Sequence, residues 1–148
     1  MQKRILLPTD GSENAERAGE YAIYFADLNG ADIIVLNVID TYYLSSIVQP
    51  DVRESVDEEL RTSVKRAVER FEAKIEDKKC NGTCQNVNFK ILIKEGKPAD
   101  VIIKTIDKEG IDQVIMGKSG KHGLERFLLG DTTQRVLKEA NVPVNVIA

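Results

Sequence analysis

Apolar positions recur along this chain in two alternating rhythms, and the alternation lays out its architecture. Residues 3–8 hold the run Ile5-Leu6-Leu7, and an unbroken apolar run of that length marks a strand covered on both faces. It closes on Thr9-Asp10-Gly11-Ser12, where Ser12 or Gly11 is suited to cap a helix. Ala15, Ala18, Ala22 and Phe25 then return at helical spacing. Asn29-Gly30 supplies the C-terminal stop. From Ile33 to Ile39 the chain is again nearly all apolar, a second buried strand. A linker with Tyr42, Tyr43 and Pro50 leads into the longest helix, from about Asp51 to Lys79. Val52, Val56, Leu60, Val64, Ala67, Phe71 and Ile75 form its apolar stripe; Glu, Lys and Arg crowd the other faces as solvated surface.

The rhythm then changes. Val87, Phe89, Ile91 and Ile93 alternate with polar residues, which predicts a third strand with one face half exposed. Gly96-Lys97-Pro98 opens a helix with proline in its first turn; Val101, Ile102 and Ile106 pack inward and Gly110 ends it. Ile111 to Met116 reads as the fourth strand, Val136, Leu137 and Ala140 as the last helix, and Val142 to Ile147 as the fifth strand. The order βαβαβαβαβ predicts a single α/β domain over residues 1–148, an open five-stranded parallel sheet wound on both faces by right-handed crossovers. In such sheets ligands bind beyond the carboxyl ends of the strands, where the strand order reverses.

Composition narrows the function. Charged residues make up 30% of the chain, yet the net charge is −3, so no excess of Lys and Arg exists to neutralise a nucleic acid, and none is expected as partner. No apolar run is long enough for a membrane span, and a cytoplasmic protein is expected. Cys80 and Cys84 lie in a polar stretch and are too few for a disulfide framework. The single histidine, His122, excludes a His-pair metal site. No nucleophile–base pair stands out, so efficient catalysis is not expected.

The candidate chemistry sits between Met116 and Thr133, where glycines stand at 117, 120, 123 and 130 between an apolar run and a helix. Glycine lets the backbone approach a ligand, and the following helix offers free N–H groups to an anion. That combination is the physics of a phosphate site. Asp10, after the first strand, is its natural neighbour. Known nucleotide motifs do not fit. Gly117-Lys118-Ser119 looks like the end of a P-loop, but the glycine required five residues earlier is Asp112. No Gly-x-Gly-x-x-Gly follows the first strand, and Lys94-Glu95-Gly96 is a poor match to a receiver domain.

The pattern that does fit is Gly117-x-x-Gly120, nine residues, then Gly130. With Ile-Leu-Leu-Pro-Thr-Asp-Gly-Ser at the start, Gly96-Lys97-Pro98-Ala99 before the third main helix and Val142-Pro143-Val144 before the last strand, the whole chain resembles the universal stress protein family. The resemblance implies a flavodoxin-like (Rossmann-like) sheet in the order 3-2-1-4-5 and, in the nucleotide-binding branch, an ATP site. Pro8, Thr9 and Asp10 would line the ribose and adenine pocket, and Val38 would hold the adenine through backbone groups. Beyond Met116, residues Gly117, Gly120, Lys121, His122 and Gly123 would wrap the ribose and phosphates. Gly130, with Asp131, Thr132 and Thr133, would present the helix N-terminus to the terminal phosphates. The family also implies a homodimer through the last strand, Val144 to Ala148.

One position departs from the pattern. Nucleotide binders of the family usually carry Ser or Thr after the last glycine, and this chain has Asp131. Asp131 and Gln134 have capping-box spacing and could serve the helix's own N–H groups. Alternatively, the carboxylate stands where a terminal phosphate should lie and competes for its donors. The expected function is therefore an adenine-nucleotide-binding sensor or regulatory module, with ATP, ADP or AMP as ligand and Mg²⁺ as a conceivable bridge. A slow Mg²⁺-dependent ATPase and a nucleotide-free dimerisation module are the alternatives.

Overall fold

The computed structural model describes residues 3–119 and 129–148. The elements are β1 (Arg4–Thr9), α1 (Glu13–Asn29), β2 (Asp32–Asp40), α2 (Thr41–Ser45), α3 (Pro50–Cys80), β3 (Phe89–Gly96), α4 (Pro98–Lys108), β4 (Gln113–Gly117), α5 (Asp131–Glu139) and β5 (Val144–Ile147). The strands form one parallel sheet in the order β3-β2-β1-β4-β5. The order reverses between β1 and β4, so the expected switch point is present.

Strand alternation divides the core in two. Ile5 and Leu7 of β1, Ile33 and Val35 of β2 and Ile115 of β4 face α1 and α3, where they meet Ala18, Ala22, Ile23, Phe71 and Ile75. Leu6, Ile34, Leu36, Val114 and Met116 face the other way, against Ile102 and Ile106 of α4 and Val136 of α5. Each such fully buried aliphatic side chain contributes roughly 1.5–3 kcal/mol. Apart from Ile23, the buried residues of α1 are small (Ala15, Ala18, Gly19, Ala22, Ala26), which lets the helix sit close to the strands.

Sequence and structure differ at edges. The linker after β2 contains the short helix α2, capped where Tyr43 N–H donates to Asp40 Oδ1 at 2.8 Å. Propensity alone does not raise five residues to a helix; the cap and buried Leu44 do. β3 starts at Phe89 rather than Val87, which is buried beneath it. β4 is shifted to Gln113–Gly117 because Asp112 turns back to β1, its N–H donating to Arg4 O and its carboxylate accepting from Arg4 N–H. No helix among the described residues is long and apolar enough to cross a membrane.

Candidate functional site

The carboxyl ends of β1 and β4 and the start of α5 meet at one rim of the sheet. Beyond β1, Asp10 Oδ1 accepts from Ser12 N–H at 2.9 Å, while Thr9 Oγ1 accepts from Gly11 N–H at 3.2 Å. Gly11, at φ 78°, makes the turn that these bonds hold. Ser12 then caps α1, its hydroxyl accepting from Ala15 N–H at 3.3 Å. Alternation assigns the neighbours to faces. Val38 and Met116 belong to the α4/α5 side with Leu6, and Pro8, two residues past Leu6 and buried, shares it. Thr9 follows Leu7 toward α1 and α3, so Thr9 offers the α4/α5 side its backbone and not its hydroxyl.

Gly117 closes β4 against α1. A Cβ there would lie 2.9 Å from the carbonyl carbon of Asn14 and 3.0 Å from Ala15 N. No side chain fits, so this first glycine of the stretch is required by packing whether or not a ligand binds. Its carbonyl accepts from the buried Thr133 hydroxyl at 3.0 Å. Gly130 N–H donates to Lys118 O at 3.0 Å, and Lys118 N–H donates to Ile147 O at 2.8 Å. These bonds pin the start of α5 to the ends of β4 and β5. From the other side, Asn14 Nδ2 donates to Ser119 Oγ at 2.8 Å.

The expected capping box does not form. Gly130 is the N-cap, extended at φ −65° and ψ 155°, and has no side chain with which to cap the helix. Asp131 is the first helical residue and is exposed. Gln134 donates its side-chain amide to Leu129 O at 2.9 Å instead of reaching back to the cap N–H. The reason is the Thr133 hydroxyl bond, which draws the first turn onto Gly117 and moves the helix start one residue ahead of the spacing argument. The N-cap itself thus supplies no side-chain acceptor to the first-turn N–H groups, at the positive end of the helix dipole. An exposed carboxylate stands at the same place.

Pro8, Thr9, Asp10, Met116, Gly117, Gly130, Asp131, Thr132 and Thr133 therefore gather at one rim, and Val38 stands on β2 at the matching level, one residue past the Thr9–Asn37 pair. Gly120, Lys121, His122 and Gly123 lie outside the described residues. Among the described residues, no group of three or more His, Cys, Asp or Glu side chains could hold a metal ion. Sequence reasoning missed Asn14 and Ser119, whose bond only the fold creates. It also missed Asn37, which is 0% exposed with both amide atoms unpartnered among the described residues. A lone Asn within an apolar strand was the available signal.

Comparison with known proteins agrees with this fold. The model of the Universal stress protein family matches residues 1–148. The chain is similar to universal stress protein MJ0577 of Methanocaldococcus jannaschii, 34% identical with 99% of this chain and 95% of the relative covered. The solved structure of MJ0577 superposes with a TM-score of 0.80 at 33% identity, covering 99% of this chain and 96% of that one. Universal stress protein UspA from Lactobacillus plantarum superposes equally well, TM-score 0.80 at 26% identity over 99% and 97% of the two chains. An Arabidopsis thaliana protein of the same family, solved with AMP bound, shares the fold at TM-score 0.65 and 18% identity, over 98% and 90%.

Proposed function

The chain belongs to the universal stress protein family, and from that premise we propose that it is a cytoplasmic adenine-nucleotide-binding sensor or regulatory module. The observation that carries the reading is the rim where β1, β4 and α5 converge. There Gly117 and Gly130 bring backbone close, Thr133 locks α5 in place at 3.0 Å, and the N-cap of α5 is Gly130, which has no side chain to cap the first turn. Uncapped N–H groups at a helix start suit a phosphate. Asp10, Pro8 and Val38 are the proposed sugar and base neighbours, with Gly120, Lys121, His122 and Gly123 completing the wrap. The AMP complex of the Arabidopsis relative supports the ligand class, at the level of a shared fold.

Asp131 tunes the site in this reading. Its carboxylate opposes the outermost phosphates, so AMP and ADP bind as well as or better than ATP unless Mg²⁺ bridges the charges. Mass spectrometry of nucleotide carried through purification, followed by calorimetry with AMP, ADP and ATP, tests the proposal. A protein that emerges empty and shows neither heat nor thermal shift with any of the three is instead a nucleotide-free module. The slow ATPase reading requires phosphate release under single turnover that Asp10→Ala abolishes.

For assembly, a homodimer through β5 is proposed. β5 is an open sheet edge with its side chains half-buried. The neighbouring flank of α1, marked by the Arg17 Nε donation to Ala148 O at 2.8 Å, exposes Tyr24 and Leu28. A second copy would cover both.

A further inference from the structure

We infer that the outer flank of α3 is a second self-association surface, on which another copy of this chain lies antiparallel across a two-fold axis. It is separate from the nucleotide rim and from the β5 edge.

The surface starts from an exposed apolar groove. Among the described residues, β3 ends the sheet on this side and is hydrogen-bonded to β2 alone. Its residue Ile93 is on the face that Phe89 and Ile91 turn to the α3 core, yet Ile93 is 54% exposed. The cause lies in α3, which buries only Ala67, Phe71 and Ile75 along its length. Its earlier turns leave an open groove of about 440 Å³ over Ile93, with Val64 and Val68 along the helix side.

Charge order identifies the occupant. Arg61, Lys65, Glu69 and Glu72 line this groove at spacings of four, four and three, which places them on one stripe. The two cations come first and the two anions last. Reversing the helix about a point near Ala67 sets Lys65 opposite Glu69 of the second copy, Arg61 opposite Glu72, and Val64 opposite Val68. The three pairs along the groove are then each of opposite charge or apolar. A parallel arrangement would set Lys65 against Lys65 and Glu69 against Glu69, so the pattern selects the antiparallel one. Arg61 already pairs with Asp57 at 3.0 Å and Glu95 at 2.7 Å, which leaves Lys65 and Glu69 as the discriminating contact. An interface with so small an apolar centre is weak and concentration-dependent.

Charge reversal with complementation tests this. Lys65→Glu alone sets Glu against Glu twice by symmetry, and Glu69→Lys alone sets Lys against Lys twice. Mixing the two variants restores opposite charges at both contacts. In sedimentation equilibrium up to about 1 mM, each single variant is expected to weaken one association step by about tenfold or more. The equimolar mixture is expected to recover it, while any step through β5 persists in every sample. In mixed ¹⁴N and ¹⁵N wild-type protein, carbodiimide is expected to join Lys65 of one isotope to Glu69 of the other. Both positions are exposed, and circular dichroism confirms that the variants fold. The inference is overturned if wild type shows no step beyond β5, if the mixture associates no better than either variant, or if the Lys65–Glu69 link forms only within one isotope.

Discussion

Replacing Asp131 by Ser isolates a charge that opposes the terminal phosphates of the proposed ligand. Asp131 is the first residue of α5, exposed, directly after the N-cap Gly130. In the free protein its carboxylate interacts with the positive end of the helix dipole, so the variant loses roughly 0.3–1 kcal/mol. With nucleotide the sign reverses. Two unit charges ~4 Å apart repel by about 4 kcal/mol at an effective dielectric of 20, and solvent exposure reduces this toward about 1 kcal/mol. A terminal phosphate at the α5 start feels that term in full, whereas the single phosphate of AMP, nearer the sugar, feels a fraction of it. Calorimetry without Mg²⁺ should therefore show ATP affinity rising by roughly 5–30-fold in Asp131→Ser and AMP affinity by less than about threefold. Raising the salt should shrink the gap, because exposed charges are screened beyond ~10 Å at 0.1 M and more closely above it. An unchanged ratio of ATP to AMP affinity in the variant refutes the charge argument. Tighter ATP binding by wild type than by the variant, seen only with Mg²⁺, would mean that the carboxylate holds the metal. Failure of wild type to bind any of the three nucleotides refutes the site itself, which is a different result.

Four further outcomes follow from the packing. Gly117→Ala drives a methyl into the α1 backbone at 2.9 Å, and urea unfolding should report a loss of about 1–3 kcal/mol even without nucleotide. Asn37→Leu removes a fully buried amide that has no partner among the described residues; the urea midpoint should rise, by about 1 kcal/mol equivalent, and a fall would mean that water satisfies the amide. Cys80 is exposed and Cys84 is 2% exposed, with burial and the nearby Asp27 raising the Cys84 thiol pKa; native iodoacetamide labelling should therefore modify Cys80 first, and both only in urea. Lys90, 3.0 Å from Glu109, holds that carboxyl below its usual range. Its contribution is present above the ordinary carboxylate pKa and lost as pH falls through the depressed one, so the stability difference between wild type and Lys90→Met should vanish in acid.

How much of this was legible in the sequence depends on the range of the interaction. The apolar runs of β1 and β2 announced buried parallel strands because covering both faces leaves no polar alternation to disguise them. Ser12, Gly30 and Pro98 marked helix ends through bonds and angles local to the chain, and they appear where expected. α2 was missed because its cap, Asp40, ends a strand and so carried no separate signal. The capping box at Asp131 was a sound local pattern defeated by a distant bond, from Thr133 to Gly117 across sixteen residues of sequence.

The glycine stretch shows the same boundary most sharply. The sequence alone placed glycine at the end of β4, a helix start after it and a carboxylate at that start, since these depend on residue type and order. Only the tertiary structure decided why Gly117 must be glycine, because the backbone of Asn14 and Ala15 that excludes a side chain is brought there by the crossover from β1. Likewise, only the tertiary structure left the early turns of α3 unburied, with Val64 beside a groove when helical periodicity had placed it on the apolar stripe. Periodicity reports which residues share a face. It does not report whether the sheet extends far enough to cover them.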